Sequence, residues 1–223
     1  MRYPPRDWND WAAFCRQCAE LFPQMALPGP RVYELWPEPI YPWGWKGTTE
    51  QLGELYRRSA VAIHEVDPEG RVFAYIETGS EISLTRDLFD LGVYDAVDGF
   101  STHAYQAGAP EACAFVAKLR EFRLMMRERG GEKPLWLTEQ GWTTGPGTAV
   151  DVQTQARWWV RKVVQALSEG VEKYIGFYLV DFGPRDRPQA ETYGLMVNLD
   201  PAVRCGAAWV APKPAFSAYA ALT

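Results

Sequence analysis

Two glutamates stand in matching surroundings in this chain of 223 residues. Glu38 closes the run Val32-Tyr33-Glu34-Leu35-Trp36-Pro37-Glu38-Pro39, and Glu139 closes Lys133-Pro134-Leu135-Trp136-Leu137-Thr138-Glu139, before Gln140-Gly141-Trp142. Each short apolar run reads as a buried parallel strand that ends at a carboxylate and passes into an aromatic-rich loop. Two carboxylates at one end of a parallel sheet are what glycosidic bond cleavage needs. One protonates the leaving oxygen; the other attacks the anomeric carbon or activates water. Strand C-termini are also where α/β barrels keep their chemistry.

The other candidates carry less. Glu34 shares the strand parity of Glu38 and is expected to be a buried structural carboxylate. Glu77 and Asp181 also end expected strands; Asp181 fits a hydroxyl ligand and a turn or cap equally well. His103 could carry a proton, but a hydrogen-bonding or stacking role is favoured. His64 falls on an expected helix surface. Trp43, Trp45 and Trp142 follow the two glutamates and suit stacking on sugar faces, with loop packing the alternative. Trp36 and Trp136, inside strands, are expected in the core.

Ten tryptophans and eleven tyrosines exceed what a core of this size requires, and several fall in expected loops. The net charge of −5 is mild, and no basic run appears, which argues against a nucleic-acid partner. Cys15 and Cys18 have C-x-x-C spacing on an expected helix, but with Cys113 and Cys205 they form no second ligand pair, so free thiols on a buried face are expected. No apolar signal segment opens the chain and no stretch could span a membrane, which makes a cytoplasmic location the default expectation.

The periodicity predicts a helix from about Asp7 to Phe22, a strand Val32–Trp36, and a helix opened by a Thr48/Gln51 capping box. A strand Arg71–Ile76, a short helix near Thr85–Leu91 and a strand Val97–Thr102 follow. Next come a helix from about Pro110 to Arg129 ended by Gly130-Gly131, the Leu135–Thr138 strand and a helix Asp151–Ser168. A fifth strand, Tyr174–Val180, a long polar loop and a helix Pro214–Leu222 close the chain. Such alternation specifies parallel strands joined by right-handed crossovers in one domain over 1–223. No Gly-rich phosphate loop follows the first strand, and polar groups gather after several strands. Both observations favour part of a (β/α)8 TIM-type barrel over a flavodoxin-like sheet.

At Tyr33-Glu34-Leu35-Trp36-Pro37-Glu38-Pro39 the sequence resembles glycoside hydrolase clan A, the retaining (β/α)8 glycosidases, and within it family 39, with family 5 as a neighbour. Thr138-Glu139-Gln140-Gly141 resembles the clan's nucleophile motif, His103-Ala104-Tyr105 its His-x-Tyr pattern, and Tyr193-Gly194-Leu195 to Lys213-Pro214 its closing segment. The resemblance implies Glu38 as acid/base, Glu139 as nucleophile and Tyr105 as a hydrogen-bond partner of the nucleophile. It also implies that the chain covers roughly strands 4–8, with no counterpart of the first three. Pro37 stands where the clan has an asparagine. The expectation is therefore a retaining glycosidase scaffold acting on oligo- or polysaccharides without metal or cofactor, weakened or inactive as this chain alone. A non-catalytic carbohydrate-binding or structural remnant is the alternative. Open barrel edges further lead to an expectation of either self-association that joins them or a rearranged sheet that hides them.

Overall fold

A computed structural model of the chain describes residues 2–25, 29–78, 81–145, 150–182, 192–199 and 209–222. The elements alternate: α1 (Trp8–Met25), β1 (Val32–Leu35), α2 (Thr49–Val66), β2 (Arg71–Tyr75), α3 (Ile82–Asp90), α4 (Val93–Ala96), β3 (Gly99–His103), α5 (Phe115–Arg129), β4 (Leu135–Glu139), α6 (Val152–Ser168), β5 (Lys173–Tyr174), β6 (Met196–Asn198), β7 (Val210–Pro212) and α7 (Pro214–Ala220). Five strands form a parallel sheet in the order β1-β2-β3-β4-β5, and β6 and β7 pair antiparallel. This is the expected partial TIM-type α/β architecture.

The chain divides into two compact units, residues 1–102 with 118–136, and residues 103–117 with 137–223. In the first, α2 is opened by the expected reciprocal cap, in which Thr48 accepts from Gln51 N–H and Gln51 accepts from Thr48 N–H. Its apolar stripe buries Leu52, Leu55, Tyr56 and Ile63. Phe89, Phe100 and Phe122 form one ring cluster with centroids 5.1–6.0 Å apart. Where α1 meets α2, Trp11 donates its indole N–H to Ser59 at 2.9 Å. Cys15 is buried there, but Cys18 is exposed, one helical step off the packed face. Cys113 is a free thiol, and Cys205 lies outside the described residues.

In the second unit Asp151 caps α6 by accepting from Gln153 and Thr154 N–H. Trp159 on α6 is fully buried between Tyr174 and Tyr219. A Cβ on Gly176 would lie 2.1 Å from the Trp159 ring, so only glycine lets the chain pass there just after β5.

Five expectations need correction. A 3-10 turn occupies Pro110–Ala112 and α5 starts at Phe115. The fifth strand pairs only over Lys173–Tyr174; beyond it Val180 makes an isolated bridge to Met196. The β6/β7 pair was not foreseen, because three-residue strands give too little alternation to read. Glu34 is exposed rather than buried. His64, expected on a helix surface, is half-buried and reaches Asp98 at 2.9 Å.

The loop between α2 and β2 is pinned to β1 by one carboxylate. Asp67 is 4% exposed and accepts from both ends of the Arg31 guanidinium, at 2.6 and 2.5 Å, and from the Tyr33 hydroxyl at 2.7 Å. The hydrogen bonds from Arg31 outweigh the burial cost and hold this carboxyl down to about 2, from an ordinary 3.8. A depressed carboxyl contributes stability that is fully present above its unfolded value and is lost as pH falls through its folded value. Because Arg31 remains partly in water, the contribution is on the order of 1–2 kcal/mol. Denaturant titrations at pH 7, 4 and 2 should show that increment lost between pH 4 and 2, and Asp67→Asn should flatten the acid side of the curve.

Candidate active site

Glu38 belongs to the first unit. Past Leu35 the chain makes a strained turn: Trp36 and Glu38, on either side of Pro37, have φ of 35° and 54°. Such left-handed backbone costs non-glycine residues roughly 1–3 kcal/mol and persists only where the surroundings enforce it. The enforcement is visible. The buried Tyr56 hydroxyl on α2 bridges the Trp36 carbonyl at 3.0 Å and the Tyr75 carbonyl at 3.2 Å, tying the ends of β1 and β2 together. The loop after Glu38 folds back on it, with Tyr41 N–H donating to the Glu38 carbonyl at 3.3 Å and Trp45 N–H to that of Pro39 at 3.1 Å.

The aromatic residues of this loop divide by role. Trp43 donates its indole N–H to Glu38 Oε2 at 2.9 Å. Its ring stacks on Tyr41 with centroids 4.8 Å apart and planes parallel within 1°. Tyr41 and Trp43 are 40% and 57% exposed, leaving apolar faces open beside a carboxylate. Burial, then the charges of Glu77 and Glu38, push the Tyr41 phenol up, so it stays protonated at neutral pH. Trp45 instead meets Trp36 edge-on at 5.2 Å and donates to the Thr48 carbonyl, so its ring is engaged in loop packing. Glu77 is buried at the end of β2, with its backbone held on both sides by the Thr85 hydroxyl.

Glu139 belongs to the second unit. Leu135 and Leu137 are fully buried in β4, and Glu139 at its end is about one third exposed. The Tyr105 hydroxyl donates to Glu139 Oε2 at 2.9 Å. His103, whose side chain is 5% exposed, places Nδ1 at 3.6 Å from the same oxygen, beyond hydrogen-bond length. Ala104 N–H bonds the Glu139 carbonyl, which fixes the end of β3 against the end of β4. Tyr105 meets Tyr193 and Phe177 edge-on, at 5.5 and 6.0 Å. Phe177 was not singled out from the sequence, because it sits in a run that reads as a plain buried strand.

Trp142 is 3% exposed, donates to the Gly108 carbonyl and packs edge-on against Trp158. It offers no free face. The sequence signal was the same as for Trp43, an aromatic just past a strand-end glutamate, and only packing separates the two.

No protein-family model matches the sequence, and no curated protein matches it. Solved structures do match its fold. A glucosidase from Croceicoccus marinus is similar over 83% of this chain at 19% identity, with a TM-score of 0.68. A GH39 β-xylosidase from Caulobacter crescentus is similar over 100% at 21% identity and a TM-score of 0.68. A family 39 glycoside hydrolase from Bacteroides cellulosilyticus is similar over 98% at 18% identity and a TM-score of 0.67. The chain spans 41–48% of the length of these three proteins. At such identities the likeness is one of fold: the chain has the fold of part of a glycoside-hydrolase (β/α)8 barrel.

Gly44 makes the Glu38 loop testable, since a Cβ there would lie 2.0 Å from the Glu38 carbonyl oxygen and must displace backbone. Gly44→Ala should cost about 1–3 kcal/mol by overpacking. It should also change the fluorescence of Trp43 as the indole leaves Glu38, read against a Trp43→Phe control.

Proposed function

We propose that the chain carries the catalytic side of a retaining glycosidase acting on O-glycosidic bonds of oligo- or polysaccharides. Glu139 is the nucleophile and Glu38 the acid/base. In the first step a Glu139 oxygen attacks the anomeric carbon while Glu38 gives its proton to the departing oxygen, leaving a glycosyl ester on Glu139. In the second, Glu38 takes a proton from water as that water attacks the same carbon and frees Glu139. One observation carries the assignment: Tyr105 donates to Glu139 Oε2 at 2.9 Å at the end of β4. That bond holds one carboxylate oxygen and so aims the other. Trp43 and Tyr41 supply the apolar platform beside Glu38. His103 lines the same end of β3 and closes one side of the nucleophile's surroundings. The likeness in fold to a β-xylosidase and a glucosidase supports the class of reaction.

Turnover by this chain alone is slow or absent in this account. Pro37 has neither a side-chain donor nor a backbone N–H to offer the sugar 2-hydroxyl. Contacts to that hydroxyl strengthen in the transition state and supply several kcal/mol. Each 1.36 kcal/mol is tenfold in rate, so their loss removes about several hundredfold. The same observation favours the second reading, a carbohydrate-binding remnant in which the aromatic platform persists without turnover.

β1 is a terminal strand of the sheet, and Phe14, Leu21 and Met25 on the neighbouring α1 are exposed. An open strand edge beside an apolar helix face invites pairing, so a second copy is proposed to cover it. Light scattering across a concentration series should show a species of at least twice the chain mass; a monomer throughout would exclude this.

Hydrolysis of a panel of aryl β-glycosides tests the main reading. We expect weak release that Glu139→Gln abolishes, with Pro37→Asn raising it. Oligosaccharide binding with no release from any glycoside would favour the remnant. The carboxyl groups of Glu38 and Glu139 should lie about 5–5.5 Å apart in a crystal structure; a separation beyond about 9 Å excludes the retaining mechanism.

A further inference from the structure

Residues 192–194 are gripped by three buried side chains from three different parts of the second unit. Lys213, 2% exposed, donates to the Thr192 carbonyl at 3.0 Å, to Asp181 Oδ1 at 2.8 Å and to the Thr144 hydroxyl at 3.0 Å. Asp181, also 2% exposed, accepts from Gly194 N–H at 2.8 Å. Gln155, fully buried on α6, donates to the Tyr193 carbonyl at 3.3 Å and to the Trp142 carbonyl at 2.8 Å. Removing an ion pair of this kind from water costs several kcal/mol per charge, repaid only by good geometry and further hydrogen bonds. Such hydrogen bonding to the two peptide groups that flank one residue fixes that residue.

That residue is Tyr193, and its ring touches both supports of Glu139. It meets Tyr105, the hydroxyl donor to Glu139, edge-on at 5.5 Å. It also lies against Gly141, two residues past Glu139, where a Cβ would come within 3.0 Å of the ring and 2.8 Å of the Phe177 carbonyl. We infer that Tyr193, clamped by Lys213, Asp181 and Gln155, is a positioning residue, a wedge that keeps the Tyr105 hydroxyl on Glu139. The inference rests on the reading of Glu139 as nucleophile for its catalytic consequence, and on geometry alone for the wedge.

The test uses the full chain labelled with 13Cζ-tyrosine, because the Tyr105 Cζ resonance follows the hydrogen bond of its hydroxyl. Glu139→Gln calibrates the resonance for an altered bond. Tyr193→Ala should move it toward the Glu139→Gln position, and Tyr193→Phe, which keeps the ring, should leave it in place. The charge-free pair Asp181→Asn with Lys213→Met loosens the clamp without stranding a buried charge, and should move the resonance the same way. With a glycoside that is turned over, Tyr193→Ala should lower kcat by about tenfold or more with KM nearly unchanged, since small misplacements cost rate rather than binding. A Tyr105 resonance unmoved in both Tyr193→Ala and the charge-free pair overturns the wedge. Turnover that persists undiminished in Glu139→Gln would instead overturn the nucleophile assignment, and the resonance decides the wedge regardless.

Discussion

A parallel strand covered by helices must bury both faces, and it can expose a charged side chain only where it ends. Most of the molecule follows from that constraint. Leu135 and Leu137 are fully sealed in β4, and Glu139, one residue pair on, stands in contact with water. β1, a terminal strand, also exposes Glu34, but it ends alike: Leu35 is buried, and within three residues Glu38 is half-exposed beside Trp43. Carboxylates cannot be paid for inside such a sheet, so the strand ends become the place where chemistry can be held on a rigid support.

Holding them takes a different solution at each strand. At β1 the backbone itself is bent into left-handed conformations at Trp36 and Glu38, and the Tyr56 hydroxyl together with the folded-back loop keeps it there. At β4 the backbone is ordinary and the precision comes from side chains: Tyr105 on one oxygen of Glu139, and Tyr193 behind Tyr105. The buried Lys213–Asp181 pair contributes less to stability than its short distance suggests, because desolvation offsets much of the attraction. Its geometric effect, fixing Thr192 and Gly194, is the clearer one.

The sequence made the alternation of helices and strands legible because apolar periodicity and the cap at Thr48 report local physics that packing did not override. It also pointed to both strand-end glutamates and to Tyr105. What it could not show was tertiary in origin. Trp142 and Trp43 look alike in sequence, yet one is sealed against Trp158 and the other keeps an open face. Glu34 has the parity of an inward residue, but no described strand lies beyond β1 to enclose it. Lys213 read as part of a closing segment; its burial against Asp181, 32 residues away, has no local signature. The three-residue strands β6 and β7 are too short to alternate.

The central claim is that Glu139 can form a glycosyl ester, and covalent trapping tests it most directly, even where turnover is slow. The chain would be incubated with activated 2-deoxy-2-fluoro-β-glycosides and digested, and the modified peptide located by mass spectrometry. The account predicts one added fluoroglycosyl group on Glu139 that is absent from Glu139→Gln. Release of product with the label on another residue, or no adduct from any sugar of the series, would contradict it.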